Sequence, residues 1–180
     1  ELKNNFLLAK KEAELSFGSD QVYIEKYLRN PRHIEIQVLC DNQGNAVHLG
    51  ERECSIQRRN QKIIEECPSP AISDNERKRI CETTIKAMKK IGYFNIGTVE
   101  YLYSDGNFFF MEMNTRLQVE HTVTEEVYDI DIVKEQINIS SGKKISLKQD
   151  EIKKKGHSIE CRINAENPIT QLPSTGLIKT

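Results

Sequence analysis

The amino-acid sequence predicts an α+β fold in which helices flank an antiparallel sheet. Pairs of short strands are interspersed with amphipathic helices, one strand alternates between apolar and polar residues, and no internal repeat divides the chain. With 180 residues, the chain is long enough to form one domain with a hydrophobic core.

The chain opens with a predicted helix and a predicted strand. Residues 3–17 place apolar side chains on one side of a helix, and Gly18 is a suitable residue to end it. Residues 22–28 are rich in β-branched and aromatic side chains and predict a strand. Asn30-Pro31 then interrupts the pattern.

A hairpin follows this interruption. Residues 33–39 alternate, with Ile34, Ile36 and Val38 on one side and polar side chains on the other. A turn at residues 41–45 leads to a second strand over residues 46–50. We therefore expect an antiparallel pair with one polar face.

The central part of the chain contains the strongest helix signal. Residues 51–62 are dense in charge and show no clear period, so they predict no element. Ser73 and Glu76 have the spacing of a capping box, and Gly92 is suited to end the helix that follows. One face of this helix carries Ile80, Thr84, Met88 and Ile91.

The last part of the chain predicts a second hairpin, a third helix and a final strand. The hairpin turns near Asp105-Gly106, the helix covers about residues 131–141, and the strand covers residues 158–165. Together with the first hairpin, these elements complete the predicted antiparallel sheet.

Composition excludes several classes of function. The chain has 26 basic and 27 acidic residues, which argues against nucleic-acid binding as its main role. Its apolar runs are too short to cross a membrane, and no secretory signal is recognisable. The five cysteines form no Cys-x-x-Cys pair, so we expect free thiols in a reducing cytosol. Because the chain lacks an initial methionine and stops within an apolar stretch, we expect a longer protein.

The most informative segment is the polar run from Glu112 to His121, directly after the apolar strand 108–111. It combines carboxylates, amides, an arginine and a histidine within ten residues. Hard oxygen ligands beside a fixed cation suit a site that binds a metal ion together with a phosphorylated anion. The alternative is a solvated loop after a hairpin.

The turn of the second hairpin decides whether Glu100 and Glu112 lie on the same face of the sheet. A two-residue Asp105-Gly106 turn would place them on opposite faces. A three-residue loop, Ser104 to Gly106, would place them together, with Asn114 two residues further on. We predict the three-residue loop, and with it a Mg²⁺ or Mn²⁺ site formed by Glu100, Glu112 and Asn114. Because the second strand is apolar on both sides, we also expect it to be buried.

Other polar residues are candidates for binding an anion or a nucleotide. The planar fork of Arg116 can hold an oxyanion at two points, and Glu120 has the spacing of a nearby general base. Lys62 follows two arginines and could form an anion trap with them. Nucleotide contacts are expected from the segment around Glu25 and Lys26, from His33 and from Gln57. Each of these residues is also compatible with a solvated surface.

Five contiguous motifs resemble those of biotin carboxylase, the ATP-grasp component of biotin-dependent carboxylases. They cover nearly the whole chain in order and are Glu25-Lys26-Tyr27-Leu28, Asn30-Pro31-Arg32-His33, residues 50–59 (Gly-Glu-Arg-Glu-Cys-Ser-Ile-Gln-Arg-Arg), residues 112–121 and residues 160–166 (Glu-Cys-Arg-Ile-Asn-Ala-Glu). The resemblance implies the C-terminal half of an ATP-grasp fold. It also implies a ligase that uses ATP to activate bicarbonate as carboxyphosphate and then carboxylates N1 of biotin on a carrier.

The resemblance assigns expected roles to individual residues. It implies divalent-metal ligands at Glu100, Glu112 and Asn114. It implies nucleotide contacts at Glu25, Lys26, Tyr27, Leu28, His33, Gln57, Asn60 and Leu102. It implies bicarbonate contacts at Lys62, Arg116, Gln118 and Val119, with Arg116, Glu120 and Lys62 as catalytic residues. Glu120 is expected to be the base that deprotonates bicarbonate, and Arg162 is expected to stabilise the biotin oxyanion.

The chain departs from the family pattern at two positions and lacks some of its parts. Asn60 stands where many members carry histidine, and Thr122 stands where proline is common. The glycine-rich lid with its ATP-binding lysine, the N-terminal domain and the C-terminal domain are absent from these residues, and 166–180 resembles the connection to the last of them. We therefore expect a partial ATP-grasp domain that is inactive alone. The tripeptide ending in Lys89 resembles a biotin-acceptor site, but its predicted place in a helix argues against biotinylation.

The expected partners are a biotin carboxyl carrier domain or protein, a carboxyltransferase component and, in the full-length protein, a second copy of itself. ATP, Mg²⁺ or Mn²⁺ and carrier-bound biotin are the expected cofactors and substrate, in the cytoplasm or the mitochondrial matrix. Two alternatives remain open. One is another ATP-grasp ligase related to carbamoyl-phosphate synthetase, and the other is a non-catalytic interaction module. The acyl acceptor is not indicated by the sequence.

Overall fold

The computed structural model describes residues 1–177, which form six strands and four helices. Their bounds are α1 Leu2–Phe17, β1 Arg32–Cys40, β2 Ala46–Arg58, β3 Gln61–Cys67, α2 Asp74–Ile91, β4 Asn95–Ser104, β5 Asn107–Asn114, α3 His121–Tyr128, α4 Ile132–Ser140 and β6 Ser158–Cys161. The predicted α+β class is confirmed. Residues 178–180, the end of the expected connecting segment 166–180, lie outside the described part of the chain.

The six strands of residues 1–177 form one sheet in the order β5-β4-β1-β2-β3-β6. Every neighbouring pair is antiparallel, as the sequence predicts. The central strand β1 is almost wholly buried, its neighbour β2 is buried from Leu49 to Cys54, and β5 and β6 lie at the two edges. The sheet therefore has a buried middle that can hold side chains in fixed positions.

Helix α2 has the predicted beginning and end. The Ser73 side chain accepts a hydrogen bond from the backbone of Glu76, the reciprocal bond is also present, and Gly92 ends the helix in a left-handed conformation. The expected apolar face is buried at Ile80, Thr84 and Met88. Ile91 was also expected on that face, but its side chain is 64% exposed because it lies in the last turn. Lys89 lies in the same turn and not at a hairpin tip.

Two apolar clusters lie on opposite faces of the sheet. Ile34, Ile36 and Val38 of β1 pack with Ile80 and Met88 of α2. On the other face, a cluster of Leu39, Val123, Val127, Ile132 and Ile139 joins the sheet to α3 and α4. These two helices cover only one end of their face. The rest of that face carries the polar side chains of β1, which the sequence had placed opposite the isoleucines.

The predicted strand over residues 22–28 is wrong. These residues form no regular element, and Tyr23, Ile24 and Tyr27 are 82%, 74% and 85% exposed. A strand needs a neighbour to accept its backbone hydrogen bonds, and β-propensity alone does not supply one. Helix α1 forms as predicted and ends at Gly18, yet none of its residues is buried.

The charged stretch 51–62, for which the sequence predicted no element, contributes to two strands. Strand β2 continues through Glu51, Arg52 and Glu53, which are all buried, and a tight turn at Arg59-Asn60 leads into β3. Both turn residues have positive φ, at 52° and 63°, as a two-residue hairpin turn requires. The strand was missed because its charged side chains are paired inside the protein rather than solvated.

Three further predictions need correction. Helix α3, which starts directly after Glu120, was not predicted. The final strand β6 covers only Ser158–Cys161 instead of residues 158–165. Strand β5, expected to be buried, lies at an edge of the sheet, where the Phe110 side chain is 66% exposed.

The hairpin of β4 and β5 differs from the predicted three-residue loop. Ser104 pairs with Asn107, so the turn contains only Asp105 and Gly106, both with positive φ. This turn alone would separate Glu100 and Glu112 onto opposite faces. The register then shifts by one residue between Glu100 and Tyr101, and Glu100 pairs with Glu112. This bulge places Glu100 and Glu112 on the same face, as predicted, but the cause is the bulge and not the predicted three-residue loop.

No helix within residues 1–177 is both long enough and apolar enough to cross a bilayer.

Candidate functional site

The polar part of the sheet forms the floor of a cavity of about 860 Å³. Strands β1 to β5, the loop before α3 and the residues around the end of β6 all contribute to its wall. The predicted site residues that line it are His33, Gln57, Asn60, Lys62, Glu100, Leu102, Glu112, Asn114, Arg116, Gln118, Val119, Glu120 and Arg162. The fold thus brings together residues that are up to 129 positions apart in sequence, the span from His33 (33) to Arg162 (162).

Four predicted nucleotide residues lie outside this cavity. Lys26, Tyr27 and Leu28 line a separate cleft of about 330 Å³, where the Lys26 Nζ atom lies 5.1 Å from the centre of the Phe109 ring. Glu25 is exposed and lines neither cavity. The irregular segment that carries these residues does not bring them to the cavity in this structure.

The expected metal ligands meet on the hairpin of β4 and β5. Asn114 Nδ2 donates to Glu100 Oε1 at 2.8 Å and to Glu112 Oε1 at 3.2 Å. Glu100 is 3% exposed, whereas Glu112 is exposed at the cavity mouth. The site therefore has one buried carboxylate and one open carboxylate, with an amide between them.

Three carboxylates of the cavity surround the side chain of Lys62. Its ammonium group contacts Glu35, lies 3.1 Å from Glu100 Oε1 and lies 2.6 Å from Glu120 Oε1. Burial opposes the charge on Lys62, but Glu35 and Glu120 outweigh it and raise the lysine pKa above its usual value. Lys62 is consequently a fixed cation at the floor of the cavity.

His33 joins the same cluster from β1. Its Nε2 atom lies 2.6 Å from Glu100 Oε2 and 3.3 Å from Glu35 Oε1, and its Nδ1 atom lies 3.1 Å from Gln57 Nε2. Burial lowers the imidazole pKa, yet the hydrogen bonds to Glu100 and Glu35 prevail and raise it to about 9. His33 is thus an additional positive group beside Lys62.

Arg52 lies beneath this cluster and is fully buried. Its guanidinium group donates to Glu35 Oε2 at 3.1 and 3.2 Å and to Gln118 Oε1 at 3.1 Å. It also donates to Gln37, Thr124 and Thr98 at 2.8, 3.0 and 3.1 Å. Burial opposes the guanidinium charge, but Glu35 prevails and raises the pKa of Arg52.

Glu120 connects the lysine cluster to the end of β6. One of its oxygens faces Lys62, and the other accepts from Arg162 Nη2 at 2.9 Å. Arg162 also donates from Nε to Glu65 Oε1 at 2.6 Å. Glu65 is fully buried, and its second oxygen has no hydrogen-bond partner among the described residues. Burial therefore raises the pKa of Glu65 despite the arginine.

Several predicted residues lie at the open rim. The Arg116 side chain is exposed, and Nη1 donates to the Leu117 carbonyl at 3.2 Å. Val119 is 59% exposed, and Asn60 occupies the second position of the β2–β3 turn. Arg116 is therefore placed at the cavity without a carboxylate partner among residues 1–177, as a group that binds an incoming anion would be.

Sequence reasoning missed three charged residues of the site, namely Glu35, Arg52 and Glu65. The first could have been found, because strict alternation in β1 places it between His33 and Gln37 on the polar face. The other two lie in stretches whose charges suggested a solvated surface. A run of charged residues that directly continues a predicted strand can indicate that the strand extends and that its charges are paired inside the protein.

Two other groups of possible metal ligands occur in the described residues. They are His33, Glu35 and Glu100, and Glu35, Cys54 and Glu120. Both contain Glu35, which already pairs with Arg52 and Lys62. Because these two cations lie within hydrogen-bonding distance, a metal ion there would meet strong repulsion. The Glu100, Glu112 and Asn114 set includes Glu112, which is exposed and forms no ion pair with a cation among the described residues, and it is therefore the better candidate.

The arrangement combines two binding properties within one cavity. Oxygen ligands at the mouth suit a divalent cation, whereas Lys62, Arg116 and Arg162 supply positive charge around an anion. A carboxylate, Glu120, lies between these cations and can accept a proton. Such a site is suited to a reaction between a nucleotide phosphate and a small anion.

Comparison with known proteins agrees with this description. Residues 1–148 match the family model of the carbamoyl-phosphate synthase L chain, ATP binding domain. The chain is 55% identical over 177 residues to biotin carboxylase of Allochromatium vinosum, covering 98% of this chain and 39% of that protein. It is 56% identical over 161 residues to the chloroplastic biotin carboxylase of Arabidopsis thaliana, covering 89% of this chain and 30% of that one.

Solved structures give the same result. A biotin carboxylase complex from Campylobacter jejuni superposes with a TM-score of 0.89 at 50% identity, covering 94% of this chain and 38% of that one. The biotin carboxylase domain of Hydrogenobacter thermophilus 2-oxoglutarate carboxylase, solved with MgADP, ADP and bicarbonate, superposes with a TM-score of 0.89 at 48% identity. That match covers 96% of this chain and 38% of the other. The chain thus spans well under half of each of these relatives.

Proposed function

Because the chain belongs to the family of the carbamoyl-phosphate synthase L chain, ATP-binding domain, and is similar over nearly its whole length to biotin carboxylases, we propose that it forms the bicarbonate-activating part of such an enzyme. In the proposed reaction, a bicarbonate oxygen attacks the γ-phosphorus of ATP and ADP leaves. The resulting carboxyphosphate breaks into carbon dioxide and phosphate, and biotin N1 then attacks the carbon dioxide while its proton passes to phosphate.

One observation carries the proposal. Lys62 lies within 3.1 Å of both Glu100, an expected metal ligand, and Glu120, the expected base. A cation at this point joins the metal-binding and anion-binding parts of a single cavity. Burying a carboxylate without a cation costs several kcal/mol per ion. The grouping of three buried carboxylates around one lysine is therefore expected in a built site and not in a solvated loop or an interaction surface.

The residues at the cavity mouth fit a Mg²⁺ or Mn²⁺ ion. Glu100, Glu112 and Asn114 each offer a hard oxygen donor, and the Asn114 amide nitrogen lies 2.8 and 3.2 Å from the two carboxylates. The Glu112 carboxylate is open to solvent. We propose that they hold the ion. When bound, the ion would neutralise phosphate charge.

The remaining residues receive proposed roles in binding the substrates. We propose that Lys62, Arg116, Gln118 and Val119 bind bicarbonate and that Glu120 removes its proton. Lys62 and Arg162 both contact Glu120, so the carboxylate is held in one orientation between two cations. Arg162 is proposed to stabilise the biotin oxyanion, and its bond to Glu65 fixes the direction of its guanidinium group.

The nucleotide is proposed to bind at the side of the cavity formed by β1, β2 and β4. His33, Gln57, Asn60 and Leu102 line that side. We also propose contacts from Glu25, Lys26, Tyr27 and Leu28. The exposed, irregular segment that carries these four residues would have to close toward the cavity when the nucleotide binds.

We also propose the wider context from the family. Residues 1–180 would form part of an ATP-grasp domain, with 166–180 leading toward a further domain, and the lid would come from other parts of a longer protein. The proposed partners are a biotin carboxyl carrier domain or protein, a carboxyltransferase component and a second copy of the enzyme. The cytoplasm, or the mitochondrial matrix in a eukaryote, is the proposed location.

Carboxylation of biotin by the full-length gene product tests the function. With MgATP and ¹⁴C-bicarbonate, we expect acid-labile label on biotin or on a biotinylated carrier, together with ADP release that requires biotin. Removal of Mg²⁺ with a chelator should abolish both. Absence of label from a folded protein that binds MgATP would contradict the proposal.

The match of residues 1–148 to the ATP-binding domain of the carbamoyl-phosphate synthase L chain favours one second candidate, a ligase of the carbamoyl-phosphate synthetase type. That enzyme would also phosphorylate bicarbonate, but ammonia would then attack the carboxyl carbon of carboxyphosphate, so that carbamate forms and phosphate leaves. The same assay with ammonium chloride in place of biotin separates the two functions. ADP release that ammonia stimulates and biotin does not would support the second candidate.

A further inference from the structure

Arg52 is a buried residue for which neither the proposed reaction nor the similarity to known proteins supplies a role. It is fully buried in the centre of β2 and does not line the cavity. Nevertheless, its guanidinium nitrogens, which carry five N–H donors, lie within 3.2 Å of acceptor oxygens on the side chains of five residues, which are Glu35, Gln37, Thr98, Gln118 and Thr124. These five residues come from β1, β4, the loop before α3 and α3 itself.

The contact between Arg52 and Gln118 determines how the glutamine amide is oriented. A guanidinium group has only donors, so the Gln118 atom 3.1 Å from Arg52 Nη2 must be the carbonyl oxygen. The Gln118 amide nitrogen then points to Glu100 Oε1, 2.7 Å away. Because both neighbours fix the same orientation, the amide cannot rotate without losing two buried hydrogen bonds.

The contact between Arg52 and Glu35 has a similar effect on Lys62. Arg52 donates hydrogen bonds from Nε and Nη2 to Oε2 of Glu35, at 3.2 and 3.1 Å. The other oxygen of Glu35 is thereby left to face Lys62 and His33. The position of the lysine ammonium group thus depends on a carboxylate that Arg52 holds from behind.

We propose that Arg52 is a positioning residue for bicarbonate binding: it fixes the Gln118 amide and, through Glu35, the Lys62 ammonium group in the arrangement that receives the anion. This inference rests on the proposed function, in which Gln118 and Lys62 contact bicarbonate. Arg52 touches no substrate in this role. Its planar fork is required, because a single ammonium group cannot hold Glu35 and Gln118 together with the two threonines.

The first test is Arg52→Lys in the full-length gene product. The variant keeps the buried positive charge opposite Glu35 but loses the fork. We expect the KM for bicarbonate to rise about tenfold or more, as for the loss of an outer-shell partner of a bound ligand. The KM for MgATP should rise less, because Arg52 reaches the nucleotide side of the cavity only indirectly, through Glu35, which also faces His33. Equal KM values for bicarbonate in the variant and the wild type would overturn the inference.

A second variant guards against misfolding of Arg52→Lys. Thr124→Val removes one acceptor of the Arg52 fork without changing a cavity residue. Thr84→Val is its matched control, because Thr84 is equally buried in a helix and binds Ile80 and Tyr101 beneath the opposite face of the sheet. We expect the two variants to lose similar thermal stability, but we expect only Thr124→Val to raise the KM for bicarbonate several-fold. Equal KM changes in both variants would overturn the positioning role.

A readout without turnover separates this inference from the proposed function. In ¹⁵N NMR spectra, the Gln118 side-chain amide protons should exchange slowly in the wild type and shift and exchange faster in Arg52→Lys. If the wild-type protein forms no carboxybiotin, the proposed function fails. If it does form carboxybiotin but the Gln118 resonances are unchanged in the variant, only the role of Arg52 fails.

Discussion

Glu100 pairs directly with Glu112 across β4 and β5, although the two-residue turn between these strands would by itself place them on opposite faces. Met111 is the extra residue of the bulge that corrects the register, since Glu100 pairs with Glu112 and Tyr101 with Phe110. Two carboxylates directly opposite each other repel when both are charged. The pair is therefore suited to a site in which a cation supplies the missing charge.

Replacing Glu112 by glutamine should weaken metal binding without affecting the fold. Glu112 is exposed and bonds only to Asn114 among the described residues, so little packing depends on it. We expect the Kd for Mn²⁺ to rise at least about tenfold, while the urea midpoint stays near that of the wild type. Electron paramagnetic resonance of free Mn²⁺ gives the Kd in the presence of ADP.

Glu126→Gln is the control for this experiment, because Glu126 is an exposed glutamate on α3 outside the cavity. It should leave the Kd for Mn²⁺ unchanged. Equal affinities in Glu112→Gln and the wild type would exclude Glu112 as a ligand.

Lys62→Met should destabilise the protein strongly. It leaves Glu35, Glu100 and Glu120 without their shared cation, and the lysine side chain is only 14% exposed. Removing one partner of a buried charge cluster costs about 3 kcal/mol. Urea unfolding at pH 7.5 measures this loss, and Lys78→Met, at an exposed position on α2, is the matched control.

The loss in Lys62→Met should become smaller in acid. Without the lysine, the effect of burial on Glu35 and Glu100 is compensated less, so the pKa of each carboxyl group lies higher in the folded variant than in the folded wild type. The folded variant therefore binds protons at a higher pH than the folded wild type does, and its stability relative to wild type rises as the pH falls toward about 5. A loss that does not change with pH would show that packing of the lysine stem, and not charge, is responsible.

The sequence predicted most of those elements that local signals define. The capping box of Ser73 and Glu76, the alternation in β1 and the glycine that ends α1 all depend on neighbouring residues, and all three are present. Strand β2 beyond Gly50 was missed because the pairing of Arg52 with Glu35 depends on residues of different strands. The strand expected at residues 22–28 failed for the same reason, since local propensity carries no information about a partner strand.

Only part of the site could be predicted, because some of its residues depend on contacts between distant parts of the chain. The cavity residues that lie in contiguous polar motifs were identified, whereas Arg52 and Glu65 were not, because they are buried behind the residues that line the cavity. The shared face of Glu100 and Glu112 was predicted from a loop that does not form. A bulge leaves no clear mark in an apolar strand such as Phe108 to Met111, so its position could not be predicted from the sequence.

Ser73→Ala should lower the stability of the chain through the loss of one helix cap. The Ser73 hydroxyl accepts from the Glu76 backbone at 3.3 Å, and Glu76 returns a bond to the Ser73 backbone at 2.9 Å. Loss of such a cap costs about 1 kcal/mol. Ser73→Asp keeps an acceptor at the same position and should retain most of the stability in urea unfolding. Equal losses in the two variants would contradict the capping role.

His48 should make the protein less stable in acid. Burial lowers the pKa of His48 to about 4, from an ordinary value of 6.5, against a weaker opposite effect of Glu82. Its Nδ1 atom accepts from the Gly50 backbone at 3.2 Å, and a proton on that nitrogen would remove this bond. The neutral ring is therefore the form that the folded protein accommodates.

The pH window of this effect follows from the two pKa values. As the pH falls below 6.5, the unfolded chain binds a proton at His48 before the folded protein does, so stability is lost down to about pH 4. Between pH 7 and 5, the loss is roughly 1–2 kcal/mol. His48→Asn places an acceptor near the same position without titrating, so its stability should fall less over this interval when urea unfolding is measured at both pH values. Parallel pH profiles for the variant and the wild type would show that His48 is not responsible, because the other titrating groups are common to both proteins.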